Sequence, residues 1–389
     1  MAKKELFAID IGSGKIRGAY AIVDENRNII VRSIADSQYA GYTDGELLEP
    51  DNLQDDLQKV LNRLIENTEK DIKHLVVGVP SEFCGIVVKQ VETFYSKPTL
   101  ITDASVNSIL EQAKNDLILE DHRILHADYV SFLDEDGDEI SNPIGKAELM
   151  LRMEVSFAYA TNEFCTYVEN CLSNLGIDSV EFVASPLAQA QCLFTNSERE
   201  DGVLFMDNGF ISSFVATIKG NGLTSLTSFS LGGAHISALL MDNLNIPYKQ
   251  ADELKHKILL TVNPIELDFY ESDNVNSFLP IPARQVNRYV KLKVQQMANI
   301  AQKCLDHIRF DWLDEETNLF MTGSGLASIK GSREILGESL KRNVETVKSS
   351  INNLENLSMS ACAYVGFGFM PSSSVTHLPQ SSRIFTTES

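Results

Sequence analysis

No run of about 18 apolar residues occurs anywhere in the chain, which excludes a membrane-spanning helix. There is no CxxC pair either. Cys84, Cys165, Cys171, Cys192, Cys304 and Cys362 are scattered, with Cys165 and Cys171 inside a helical pattern. Reduced core thiols in a cytoplasmic protein are expected, and no cysteine metal site. Basic residues are in short supply: Lys and Arg total 33 against 54 Asp and Glu, a formal charge of −21. A body this acidic is ill suited to nucleic acid, whose phosphates need an excess of cations on some face. The same charge opposes adsorption to an anionic bilayer. The opening MAKKELFAIDIG breaks its apolar run at Asp10 and Gly12, so it reads as a first strand and not as a leader. What is present is 389 residues with 43% hydrophobic side chains. That suits two or three domains of roughly 150 residues, or one divided fold.

Apolar runs at Leu6–Ile9, Gly18–Val23 and Ile29–Ile34 predict three linked strands. Pro50 and Asp51 open a helix with Leu53, Leu57, Val60, Leu61 and Leu64 on one face, and His74–Val79 is a further buried strand. From Ser81 to about Phe157 the texture changes to a small α+β module. An alternating stretch (Ile86, Val88, Val91) leads to an amphipathic helix through Val106, Ile109, Leu110 and Ala113. Next comes a strand pair joined by the acidic turn Asp134–Asp138, which lacks the spacing of a calcium loop. A helix over 161–175 ends at Gly176, Val180–Val183 is a strand, and Pro186 opens another helix. Gly202–Gly209, Ser213–Ile218 and Leu226–Leu231 then repeat the opening pattern, so Ile9-Asp10-Ile11-Gly12 and Met206-Asp207-Asn208-Gly209 form an internal repeat of roughly 200 residues. A long helix is expected over 284–310. The Ser/Thr/Pro-rich residues 371–389 are expected to be disordered.

Three glycine turns carry the chemistry. In the first, Asp10-Ile11-Gly12-Ser13-Gly14-Lys15, backbone N–H groups can face phosphate oxygens, Ser13 and Lys15 add a hydroxyl and a charge, and Asp10 can hold Mg²⁺ through water. The second is Asp207-Asn208-Gly209-Phe210-Ile211-Ser212-Ser213, where Asp207 is the matching candidate for Mg²⁺. The third is Thr322-Gly323-Ser324-Gly325, after the strand Asn318–Met321, where paired glycines let backbone pass a flat adenosine.

In this order, the three turns resemble the actin/Hsp70/sugar-kinase superfamily, and within it the bacterial cell-division FtsA family. Asp10, Ile11, Gly12, Ser13 and Lys15 match that family's GxDIGTxK turn. Arg123–His126 with Asn142-Pro143-Ile144-Gly145 is similar to the stretch in its inserted 1C domain. Leu231-Gly232-Gly233-Ala234-His235-Ile236 resembles its IGGxHIT, and Ala251-Asp252-Glu253-Leu254-Lys255 its AExLK helix, which implies nucleoside contacts for Asp252 and Lys255. Thr322–Gly325 resembles its TGGG adenosine turn. The resemblance implies an α/β fold of duplicated actin-like (ribonuclease H-like) domains around a cleft holding ATP or ADP with Mg²⁺. It divides the chain into subdomain 1A (1–80, 160–198, 337–370), the 1C insert (81–159), 2A (199–235, 311–336) and 2B (236–310).

The departures bear on activity. The family's second turn reads DIGGGTTD, and here Phe210, Ile211 and Phe214 replace two glycines and the last carboxylate. Side chains there obstruct approach to a γ-phosphate, so weak or absent hydrolysis is expected. The partners implied by the resemblance are the FtsZ tail at 2B, further copies in a filament, and later division proteins at 1C. The basic residues Arg284, Arg288, Lys291 and Lys293 mark a possible dock for an acidic tail. The expected location is the cytoplasmic face of the inner membrane at the division site. The tail has only Leu378, Ile384 and Phe385 as large apolars, so membrane contact is expected only through a helix absent from this sequence or through a partner. A PilM-like pilus-assembly scaffold stands as the alternative. A small-molecule kinase is a further one, disfavoured by Phe214 where a catalytic carboxylate is needed.

Overall fold

Short apolar strands joined by tight turns assemble into two sheets of the same topology. The computed structural model describes residues 4–23, 29–270 and 281–347. The first sheet runs, edge to edge, Ile29–Gln38, Lys15–Val23, Lys4–Ile11, His74–Val79, Ser179–Ala184. The second runs Gly222–Phe229, Ser213–Lys219, Val203–Asn208, Leu319–Thr322, Val344–Thr346. In each, three strands form an antiparallel meander and the last two add in parallel. The repeat seen in the sequence is therefore a duplicated domain. A parallel strand needs a crossover, and in the first domain the helix Pro50–Thr68 supplies it. Its Leu53, Leu57, Val60, Leu61 and Leu64 are buried, as their spacing predicts. Gly18 makes this packing possible, because a Cβ there would stand 2.6 Å from Val60.

In the second domain the helices Gly233–Leu244, Tyr248–Lys257 and Ala283–Leu305 share a core with the sheet. The longest ends at Leu305 and not at 310. The apolar stripe still reaches buried Ile308, because tighter turns continue it: the His307 and Ile308 amides donate to Cys304 and Leu305 carbonyls. Residues 337–370 were expected to return to the first domain. Val344–Thr346 instead pairs with Leu319–Thr322 and the helix Ser332–Leu340 belongs to the second core, so the second domain runs past 336 to at least 346. Three strand residues after a short helix carry too little pattern to be read from sequence. The tail 371–389 and Cys362 lie outside the described residues. The five described cysteines are free thiols, and among the described residues no helix is long and apolar enough to cross a membrane.

Between His74–Val79 and Ser179–Ala184, two neighbouring strands of the first sheet, the chain forms the expected insert. Its strands run Cys84–Leu100, Ala147–Thr161, His122–Leu133, Glu139–Ile140, with the helix Asp103–Asp116 against them. It has its own core, including Ile101, Val106, Phe132, Met153 and Phe157. The acidic turn is a hairpin: Asp134 Oδ1 accepts the amides of Asp136 and Asp138, and Gly137 takes φ +91°. One motif residue ties the insert to the helix Asn162–Asn174 and another shapes a turn within it. Arg123 makes a bidentate pair with Glu169, and Asn142 Oδ1 caps the Ile144 amide.

The insert docks on the second domain through the hairpin Lys219–Leu223. The Asn221 amide donates to Tyr129 O, Ser156 Oγ donates to Leu223 O, and Gly220 (φ +57°) lies where a Cβ would strike Val130 O at 2.4 Å. Arg199 fixes that hairpin from behind. It is 5% exposed and donates to the carbonyls of Gly220 and Phe194 and to Asn196 and Asn221. Removing it leaves several buried acceptors unsatisfied, so Arg199→Ala is expected to lose about 3 kcal/mol in urea unfolding. A loss under about 1 kcal/mol would contradict this role.

Candidate functional site

The two glycine turns face each other in the interdomain cleft, and each closes in the same way. The Gly12 amide donates to Lys15 O (2.9 Å) and the Gly209 amide to Ser212 O (3.0 Å). Aligning the two turns on Gly12 and Gly209 pairs Asp10 with Asp207, Ser13 with Phe210, Gly14 with Ile211 and Arg17 with Phe214, in keeping with the strand registers Asp10–Arg17 and Asp207–Phe214. The turns are also tied across the cleft. Ser13 Oγ accepts the amides of Ile211 (2.9 Å) and Ser212 (3.2 Å). The Phe210 ring lies on Gly14, where a Cβ would be only 2.3 Å from Cδ1. The equivalent residues Ser13 and Phe210 thus each reach into the opposite turn.

The cleft has a volume of about 610 Å³, within the usual range for small-molecule sites. Every expected cofactor residue lines it except Gly232: Asp10, Gly12, Ser13, Gly14, Lys15, Asp207, Gly209, Gly233, Asp252, Lys255, Gly323, Ser324 and Gly325 all do. Gly232 instead packs on the second turn, where a Cβ would lie 2.5 Å from Phe210 O. Its neighbours hold the helix start to that turn, Gly233 and Ala234 amides donating to Gly209 O and Phe210 O. The third turn also rests on the second. Gly323 (φ +92°) and Gly325 both press on Asn208, leaving no room for Cβ atoms.

At the far end of the cleft Lys255, 3% exposed, donates to Asp252 (2.6 Å) and Ser237 (3.1 Å), and Ser237 Oγ also donates to Asp252. Burial works to raise the Asp252 carboxyl, but these bonds outweigh it and hold its pKa low. The cluster presents a carboxylate and a buried ammonium as the resemblance implied for a nucleoside end. Three polar atoms lining the cleft, Asp10 Oδ2, Ser185 Oγ and Ser212 Oγ, are buried without hydrogen-bond partners. Unsatisfied buried groups concentrated in a concave site suit a polar ligand.

Mg²⁺ between Asp10 and Asp207 fits less well than the sequence suggests. Arg17, directly across the strand pair from Asp10, holds its guanidinium 3.7 Å from Asp10 Oδ2. Asp207 Oδ2 accepts Gln189 Nε2 at 2.7 Å, from the helix Ser185–Leu193. A cation and an amide thus already stand against the two carboxylates, and the described residues contain no group of three or more His, Cys, Asp or Glu able to hold a metal. A divalent ion would meet a fixed positive charge. Arg17 and Gln189 are the site residues that sequence reasoning missed. Phe214, opposite Asp207 in the register, is buried edge-on against Phe205 and joins the core between the domains. The carboxylate expected of the family is replaced there by apolar packing.

No family model matches the chain. It is 22% identical over 359 residues to the cell division protein FtsA of Enterococcus hirae, covering 88% of this chain and 78% of that protein. Against FtsA of Neisseria meningitidis serogroup B it is 21% identical over 253 residues, 65% of this chain and 61% of that one. Against FtsA of Borreliella burgdorferi it is 27% identical over 210 residues, 54% and 51% of the two chains. The Neisseria and Borreliella matches therefore span less than two thirds of those proteins. Among solved structures, the PilM–PilN type IV pilus biogenesis complex matches with a TM-score of 0.61 at 14% identity, covering 95% of this chain and 99% of that one. MreB5 of Spiroplasma citri bound to ADP matches with a TM-score of 0.52 at 10% identity, covering 94% and 96%. These structural matches show the actin-like α/β fold.

Burial lifts Asp10 from 3.8 to about 6, against the pull of Arg17. Because the folded pKa lies above the unfolded one, the folded chain holds this proton to higher pH. Its stability at this site therefore falls as pH rises from 3.8 to about 6. At about 1.4 kcal/mol per pKa unit that fall is about 3 kcal/mol. Asp10→Asn is expected to abolish it, so its unfolding free energy relative to wild type should rise by up to about that amount between pH 4 and 7. A difference that stays constant over that range would contradict the buried placement of Asp10.

Proposed function

We propose that the chain is an actin-like cell-division scaffold of the FtsA kind. In this reading it binds an adenine nucleotide, ATP or ADP, in the cleft, associates with further copies into filaments, and links the FtsZ tail to the membrane and to later division proteins. It works from the cytoplasmic face of the inner membrane at the division site, reaching the membrane through a helix beyond these residues or through a partner. The observation that carries the reading is the insert between Cys84 and Thr161. It bears both the Arg123–His126 and Asn142–Gly145 motif segments on a separately cored module. The similarity to Enterococcus hirae FtsA over 88% of the chain supports it.

Hydrolysis is weak or absent in this account. Phe214 stands where a carboxylate would act, and Ser13 holds the amides of the second turn. The long helix Ala283–Leu305 exposes Arg284, which pairs with Glu266 at 3.7 Å, and Arg288, with Lys291 and Lys293 half-buried further along it. On a body of −21 this is a fitting place for an acidic peptide. A pilus-assembly scaffold is the second reading, favoured by the near full-length fit to PilM.

Fluorescence anisotropy with a labelled FtsZ C-terminal peptide separates the two. Binding at low salt that falls at least tenfold in the double variant Arg284→Glu/Arg288→Glu is expected. Absence of FtsZ-peptide binding, together with binding of a PilN peptide, would replace the division reading with the pilus one.

A further inference from the structure

Three groups decide what the phosphate end of the cleft can accept. The first is the Ser13 hydroxyl. It takes the Ile211 and Ser212 amides, the donors that an oxyanion entering the second turn would need. The second is the Phe210 ring, which fills the space over Gly14 so closely that not even a methyl group fits there. Gly41 backs this contact from outside, with Ser13 O and Ile211 Cδ1 at 2.2 and 3.2 Å from the position of a Cβ. A phosphoryl group between the two turns would have to displace both the hydroxyl and the ring. The third is Arg17. Its guanidinium faces the cleft beside Asp10 and acts electrostatically on Asp207 as well. A fixed guanidinium offers a planar fork to phosphate oxygens and neutralises charge without a metal.

Lys15, Arg17, Asp252, Lys255 and Ser324 line the same cleft. A buried ammonium and carboxylate at one end and two cations at the other suit a nucleoside with a short phosphate chain. Resting on the nucleotide reading above, we propose that the cleft is a metal-independent nucleoside diphosphate site. Arg17 takes the place of the divalent cation, and Phe210 with Ser13 excludes a third phosphate. Arg17 is then a specificity-determining binding residue, and Phe210 is a steric stop.

Isothermal titration of the full chain with AMP, ADP and ATP, in EDTA and in millimolar Mg²⁺, tests this. ADP is expected to bind within twofold with and without Mg²⁺, and ATP at least tenfold more weakly than ADP. Phe210→Gly should bring ATP to within about threefold of ADP. Arg17→Gln, shown to be folded by circular dichroism, should weaken ADP at least tenfold in EDTA. Tightening of wild-type ADP binding tenfold or more by Mg²⁺ would overturn the proposal and leave the nucleotide reading standing, as would ATP binding as tightly as ADP. No heat from any nucleotide in either buffer would remove the nucleotide reading and this proposal with it.

Discussion

Two backbone amides donating to one serine hydroxyl fix the geometry on which the rest of the cleft depends. Ser13 and Phe210 occupy the same place in the two repeats, and each is received by the other repeat's turn. A duplicated domain normally meets its twin around whatever lies between them. Here the two turn tips touch directly, so the halves are held together by protein atoms at the point where a ligand phosphate would otherwise join them. A serine at one tip and an aromatic ring at the other make that contact possible. Glycine at the second tip would leave the space over Gly14 open.

Other contacts between the halves are consistent with this closed arrangement. Gln189, from the helix that follows the first sheet, reaches across to Asp207 in the second. Phe205 and Phe214 of the second sheet belong to the same apolar cluster as the first-domain core. At the far side, the insert rests on the hairpin Lys219–Leu223, which Arg199 braces. The insert therefore touches the second domain directly as well as continuing the first. The Tyr129–Asn221 and Ser156–Leu223 contacts tie the insert to the edge of the second sheet. Packed interfaces of this kind move between discrete arrangements more readily than they deform smoothly.

Much of the fold was legible because it rests on local rules. Apolar strands ending in Asp-x-Gly announce the repeat, the spacing of Leu53 to Leu64 announces the covering helix, and the shift in texture after Ser81 announces the insert. The candidate site was legible as a set of turns but not as an assembly. Arg17 sits in an ordinary strand sequence, and its meaning comes only from the register that sets it opposite Asp10. Gln189 is one of two glutamines on its helix, and only the tertiary path brings it to Asp207. Phe210 could be read as an obstruction, but not as a ring seated on the opposite turn, since that contact joins residues nearly 200 apart in the chain. Gly232 shows the reverse case, since the motif alone does not reveal its close approach to Phe210 O. The edge strand Val344–Thr346 escaped notice because three residues carry no period.

The central claim is that protein groups already hold the places of the metal and the terminal phosphate. A crystal structure of the chain grown with ADP and Mg²⁺ tests it most directly. The account predicts a diphosphate against the first turn and the Arg17 guanidinium, the Phe210 ring still on Gly14, Ser13 still bonded to the Ile211 and Ser212 amides, and no metal between Asp10 and Asp207. Mg²⁺ between those two carboxylates, with phosphate oxygens on the amides of the second turn, would contradict it.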